Sequence, residues 1–408
     1  MRTIQFLFLF FIVISCTQKQ EIAQWRGENR DGLFAEKDLL KVWPENGPEQ
    51  LWAFEEAGDG YGSVTVTKDK ILLNGMLDSI SYLMALNLKG ELLWKAPNGT
   101  GYVGEGFTAS FPGSRSTPTV IGDLVYVSSG KGRIACYSVT NGQEKWAVDL
   151  LKDLNGVEPD FGYGESLLVD ENKVFCYPGG KDNNMVALDR FSGEIIWTSP
   201  ALLDTATHCS PIVVNLPARK VLVNFSTRNL MGLDAETGEL LWSHKQELRK
   251  YSEQSLTPIY RDGALYYVAG DGNGAVKMEL SDDGSSFKEI WRNYIDRNSM
   301  NGFLIIGEKL YSTSKKSELN VLDLSSGEKT DSLKIRDGAI IAADDMIYCY
   351  SDNGEVALID YSKSPLQIVG QLKIDLGSKH HFARPVIKNG VLYIRHGNAL
   401  MAYSLKAK

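Results

Sequence analysis

The stretch Met231-Gly-Leu-Asp-Ala-Glu-Thr-Gly-Glu-Leu-Leu-Trp242 decides the fold, because weaker copies of it recur along most of the chain. Residues 230–233 are strand-compatible, 234–238 carry turn chemistry, and 239–242 restart a strand that ends in a large aromatic. The unit is a hairpin. A lone hairpin cannot bury its own apolar faces, so recurrence implies copies packed side by side.

Outward from this unit, Gly-Glu-x-x-Trp recurs at 90–94 and 193–197, and 142–146 differs only by Gln143 in the Glu place. Later copies decay. Residues 285–291 keep the tryptophan behind a longer turn, Gly327-Glu-Lys lacks it, and 365–369 keep only the strand. Upstream of each hairpin lie two further strand-like stretches, the first often introduced by Ser/Thr-Pro: 62–66, 117–120, 165–169, 210–214, 257–260, 302–306, 339–341 and 384–387. The last unit lacks its fourth strand, since the chain stops at Lys408 just after the third. That strand reappears at the other end, where Glu49-Gln-Leu-Trp52 precedes the first complete unit. A last strand supplied from the N-terminus closes a ring with no exposed edge. The expected fold is therefore all-β, an eight-bladed β-propeller of four-stranded blades over residues 49–408, with roughly 45 residues per repeat. The tryptophans are expected to pack between neighbouring blades rather than to form a substrate platform.

Hydrophobic content of 43% and charged content of 23% are ordinary for a globular protein, and 39 glycines fit many tight turns. A net charge of -8 argues against a general nucleic-acid binder, which needs a basic surface. At the N-terminus, Arg2, the apolar run 6–14 and Val13-Ile-Ser-Cys16 resemble a bacterial lipoprotein signal. Residues 1–15 are then a signal peptide, Cys16 is the lipidated residue, 16–23 is a tether, and 24–48, with Trp25 and Trp43, is a capping segment. Membrane contact is expected through the lipid anchor alone, on a protein of the cell envelope. Cys136, Cys176, Cys209 and Cys349 sit in or beside strand-like stretches with no CxxC, and read as buried thiols; a disulfide between neighbouring strands stays open.

The Ala-Leu-Asp-x-x-x-Gly-Glu-x-x-Trp pattern, clearest at 187–197, is similar to the repeat of pyrroloquinoline-quinone-type, quinoprotein alcohol dehydrogenase-like propellers. The segment Trp25-Arg-Gly-Glu-Asn-Arg-Asp-Gly32 with Trp43-Pro44 resembles the BamB-like envelope lipoproteins of that superfamily. This resemblance implies a binding scaffold in outer-membrane protein assembly, at the outer membrane and facing the periplasm or the cell surface, with an envelope protein as partner. The alternatives it leaves open are a quinone-dependent oxidoreductase of alcohol or sugar, with pyrroloquinoline quinone as cofactor, and a carbohydrate-binding protein with a small polar ligand. The chain lacks the Cys-Cys pair typical of the dehydrogenases and any Cys-x-x-Cys-His haem motif, so the reading leans to binding rather than catalysis.

Inner strands of a propeller line its central channel, so polar residues just before them are the ligand-binding candidates: Arg115, Glu165, His208, Gln254, Asn301, His380, His381 and Arg384. They offer cations, a carboxylate and imidazoles to an anionic or sugar-like ligand. No metal site is expected, since adjacent histidines on an extended segment point to opposite faces. Gly99-Thr-Gly-Tyr-Val-Gly104 matches a dinucleotide fingerprint in letters only, because a loop and not a helix is expected to follow it.

Overall fold

A computed structural model describes residues 20–247, 254–270, 273–294 and 302–407. Among these residues there is no α-helix, and one short 3-10 turn, Gly106–Ser110, lies between blades. Eight antiparallel four-stranded sheets follow one another in chain order, two of them extended by a strand from the N-terminal segment. We number them blades 1 to 8. The inner strands are Thr65–Val66, Thr119–Ile121, Leu168–Asp170, Ile212–Asn215, Ile259–Arg261, Phe303–Ile306, Gly338–Ala343 and Val386–Lys388. The expected propeller is present, with closure as the sequence implied: Gln50–Phe54 pairs antiparallel with Ala399–Ser404 as the outer strand of blade 8. The face on which inner strands begin is called the top, and the face on which they turn into the second strand is the bottom.

The repeated hairpin works as a joint between blades. Asp189, Asp234 and Asp323 each accept hydrogen bonds through Oδ1 from two backbone N–H groups of the following turn, which shapes the Asp-x-x-x-Gly bend. The glycine closing that bend lies under the tryptophan of the preceding blade. A Cβ on Gly142, Gly193 or Gly238 would meet the ring of Trp94, Trp146 or Trp197 at 2.5–2.7 Å. The indole N–H then donates into the same turn, from Trp52, Trp94, Trp146, Trp197, Trp242 and Trp291 to carbonyls of the next blade at 2.9–3.2 Å. The glycine and the tryptophan of the motif therefore serve different seams: each glycine receives the tryptophan of the repeat before it. Gly238→Ala is expected to lower stability by about 2 kcal/mol, because φ is +78° and the Trp197 ring fills the space. Gly263→Ala, at φ +81° with open space around it, costs only the backbone part, about 1 kcal/mol. Urea unfolding of the two variants measures the difference.

In blade 7 the tryptophan register is occupied by Gly370, paired opposite Leu358 as Trp197 is opposite Ala187. Trp43 fills the gap from the N-terminal segment. A Cβ on Gly370 would lie 2.7 Å from Cβ of Trp43, whose ring packs 6.0 Å from Tyr348 much as Trp146 packs 6.1 Å from Tyr126. The decayed repeat is thus completed from a distance of more than 300 residues in sequence.

The rest of the N-terminal segment threads the ring. Ile22–Ala23 pairs antiparallel with Ile121 and Val120 of blade 2, so the chain is already docked at the end of the stretch 16–23 expected to be a tether. It turns back at 24–32 and leaves as Leu33–Phe34, parallel to Ala342–Ala343 of blade 7. The stretch expected to cap the body lies inside it. Residues 1–19, with the signal and Cys16, fall outside the described residues. The four cysteines among the described residues are buried and free, which answers the disulfide question for them.

Candidate functional site

The lower part of the channel is made by the threaded segment. Arg30 Nη2 donates to the Ser166 carbonyl at 2.6 Å and Nη1 to Leu167 at 3.2 Å, both at the inner strand of blade 3. Arg26 Nη2 donates to the Phe303 carbonyl of blade 6 at 2.6 Å. Two side chains four residues apart therefore bridge blades that lie across the ring from one another, with Trp25 between them. From blade 8, Arg384 places its guanidinium carbon 5.0 Å from the Trp25 ring centroid. Burial lowers the Arg26 and Arg30 guanidinium groups to about 10, well below the usual arginine value, and lowers Arg384 to about 9.

Glu165, 2% exposed, belongs to this floor. One carboxylate oxygen accepts from the Tyr177 N–H at 2.8 Å, and the other is buried without a hydrogen-bond partner. Burial pushes its pKa up to about 7, against the pull of the Tyr177 N–H and of Arg30. His208 is half-buried with Nε2 3.2 Å from the Gly162 carbonyl, and burial together with Arg115 lowers it to about 3. Gln254 is buried, and its Nε2 has no acceptor.

Higher up, a rim of aromatic rings surrounds the mouth. Arg115 does not point to the floor; Nη1 donates to Gly113 at 2.8 Å, Nη2 donates to Phe111, and the guanidinium lies over Tyr102 at 4.7 Å and Tyr61 at 5.7 Å. His380 stacks on Phe111 at 4.8 Å and on Phe382 at 5.0 Å. His381 turns the other way, with Nδ1 2.6 Å from the Tyr350 hydroxyl and its ring 3.6 Å from His396. Adjacent histidines thus serve different neighbours, as an extended segment dictates. Phe107, Phe111 and Phe161 pack edge to face with centroids 5.4–6.3 Å apart, and Phe107 is 61% exposed. Beside them a cleft of about 490 Å³ is lined by Tyr102, Val103, Phe107, Lys131, Glu158 and Asp160, with Lys131 and Glu158 paired at 2.7 Å. The glycines at 99–104 lead into this loop and its 3-10 turn, and not into an α-helix.

The eight candidates therefore separate. Glu165, His208, Gln254 and Arg384 sit on the channel wall, Arg115 and His380 belong to the aromatic rim, and His381 faces the seam of blades 7 and 8. Asn301 lies outside the described residues. Sequence reasoning missed Trp25, Arg26 and Arg30 as channel residues, and missed the phenylalanine rim. The available signal was Trp-Arg-x-x-x-Arg in a glycine-rich segment, where long cations can reach backbone acceptors far away in the sequence. Trp25, Arg26 and Arg30 fill the middle of the ring, and among the described residues no three His, Cys, Asp or Glu side chains gather around a common point.

A family model described as "Outer membrane protein assembly factor BamB" matches residues 80–332. A curated relative of that name from Shewanella oneidensis is 23% identical over 252 residues, 58% of this chain and 59% of that protein. One from Yersinia pestis is 21% identical over 298 residues, 69% of this chain and 71% of that protein. The match thus spans about three fifths of the Shewanella protein's length. Among solved structures, BamB from Moraxella catarrhalis has a TM-score of 0.62 at 14% identity, covering 88% of this chain and 98% of that one. The computationally designed Ika8 protein reaches 0.60 at 13% identity, covering 87% and 99%. At these identities both structures speak for the fold alone.

Proposed function

Because the chain belongs to the family of outer membrane protein assembly factor BamB, we propose that it is a binding scaffold of the cell envelope that serves outer-membrane protein assembly through its top face. The observation that carries the choice of face is the aromatic rim. Phe107 at 61% exposed and Val103 at 45% stand beside an open cleft, on loops held by packed rings. Large exposed apolar side chains grouped on one face mark protein contact sites, and aromatic anchors dominate their energetics.

The N-terminus supports the same orientation. Gln20 and Glu21 are fixed at the bottom face, where the Glu21 carbonyl accepts from the Gly122 N–H at 2.8 Å. With Cys16 lipidated, only four residues separate the acyl chains from Gln20, a reach of at most about 14 Å. The bottom face then lies against the membrane and the rim faces away from it, towards a partner. Cys16→Ser is expected to move the protein from the membrane to the soluble fraction, read by fractionation of cells.

The scaffold reading is tested by placing a photo-crosslinking residue at Phe107 and, separately, at the bottom-face Asn389. The expected result is a discrete crosslinked envelope protein from position 107 alone. Equal capture at both positions, or none at 107, overturns the assignment of the top face. Unchanged outer-membrane protein levels on deletion of the gene overturn the assembly role.

A further inference from the structure

Trp25 sits on the ring axis with three guanidinium groups around it. Their carbons lie 5.5 Å (Arg26), 5.7 Å (Arg30) and 5.0 Å (Arg384) from its ring centroid. Arg26 and Arg30 are 2% and 3% exposed. Their hydrogen bonds do not use up their donors. Arg26 Nη2 serves the carbonyls of Asp31 and Phe303, and Arg30 serves Gln24, Ser166 and Leu167. Nε and Nη1 of Arg26 and Nε of Arg30 remain buried without an acceptor.

This arrangement is expensive in two ways. Each buried donor left unpaired has lost its water without gaining an acceptor, and cations held around one ring repel each other: beyond burial, the charge of Arg26 further lowers Arg30 and Arg384. The acids within reach compensate weakly. Asp31 acts on Arg26 and Glu165 on Arg30, but burial raises both carboxyls above their usual range. Cationic groups from three places in the sequence converge, and buried N–H groups of Arg26 and Arg30 lack acceptors.

We propose that this cluster is a binding site for a small anion, a single carboxylate or phosphate group, held by Arg26, Arg30 and Arg384 beside Trp25. An anion there supplies acceptors to the buried N–H groups and cancels part of the charge, with the strength of charge-assisted hydrogen bonds in a buried setting. Entry is from the top, where half-buried Arg384 borders the funnel. The site is independent of the partner contact at the rim, because none of its three arginines belongs to the rim.

Isothermal titration of the full chain with sodium phosphate and with sodium formate, at constant ionic strength, tests the site. The expected result is saturable binding of one anion per chain, weakened at least tenfold by Arg384→Gln while the unfolding midpoint without anion stays within about 2 °C. Arg26 and Arg30 also brace the threaded segment, so a milder second variant, Arg30→Lys, keeps the charge, loses part of the donor fork and weakens binding severalfold. Phosphate alone, formate alone or both binding in this Arg384-dependent way each supports the site and names its ligand class. The proposal is overturned by the absence of saturable heat with either anion on folded protein. Binding that both variants leave unchanged overturns it equally.

Discussion

Arg395→Met lowers the unfolding free energy by about 4 kcal/mol at pH 7, the largest effect expected of any single side chain here. Arg395 is buried in the second strand of blade 8, at the seam with blade 1. It donates to the carbonyls of Gly397 at 2.9 Å, Gly62 at 3.2 Å, Gly58 at 3.1 Å, Ala57 at 3.4 Å and Asn74. Residues 57–62 are the link from the last blade's outer strand to the first blade's inner strand, so one guanidinium ties the ring at its closure. Methionine fills the volume but leaves five carbonyls without this donor, and buried acceptors stripped of charged partners cost several kcal/mol. Arg336→Met is the control. Arg336 pairs with Asp352 at 2.9 Å, but 56% of its side chain is exposed, and solvent screening leaves such a pair contributing little. Urea unfolding followed by tryptophan fluorescence separates the two; equal effects would refute the closure role of Arg395.

Glu165→Gln stabilises the protein at pH 8 relative to pH 4.5, by about 3 kcal/mol as the difference between the two pH values. The sign follows from the direction of the shift. In the folded protein the Glu165 carboxyl titrates near 7, against an ordinary value of 4.5. A raised folded value means that its favourable contribution is complete below about 4.5 and is lost as pH rises through about 7. Glutamine keeps an oxygen for the Tyr177 N–H and carries no charge to desolvate, so the variant escapes that loss. His208 works in the opposite sense: its folded value near 3 lies below the ordinary 6.5, so its contribution is present above 6.5 and is lost as pH falls toward 3. In the wild type the two groups offset each other between pH 4.5 and 6.5; removing Glu165 leaves the acid-side loss in place, so the variant's stability rises with pH across that range. A variant whose stability follows the wild type in parallel from pH 4.5 to 8 would sink the assignment.

The blades were readable because their information is local. Asp234 and Gly238 set the turn, Trp242 marks the strand, and the repetition of the pattern supplies the number of blades without any long-range inference. Ring closure was readable for the same reason: a strand missing after residue 403 and a spare one at 50–54 are both visible as patterns. The partners of Arg26 and Arg30 were not readable, since these side chains bind backbone carbonyls at 303 and 166–167, and a carbonyl has no letter in the sequence. Trp43 is an intermediate case. Gly370 in a tryptophan register announces a hole, but only the fold shows that a tryptophan from the N-terminal segment fills it. Position in the repeat locates the channel wall but not the direction of each side chain, so Arg115 and His381, which share the repeat position of Glu165, face elsewhere.

The segment from Gln20 to Phe54 carries a consequence for the order in which the molecule is made. It touches blade 2 at Val120, blade 3 at Ser166, blade 6 at Phe303, blade 7 at Ala342 and blade 8 at Met401. The earliest described residues of the chain therefore wait for the latest, and the ring cannot be completed on a nascent chain whose last 50 or so residues are still unmade. Single blades and their neighbours can form as they emerge, but threading of Trp25 and seating of Trp43 are end steps with long loops to close. Until then blade 8 has an open strand edge at Ala399–Ser404, the one the N-terminus later covers. The interval between release of the chain and docking of its own beginning is when this protein is most exposed to pairing with the wrong strand.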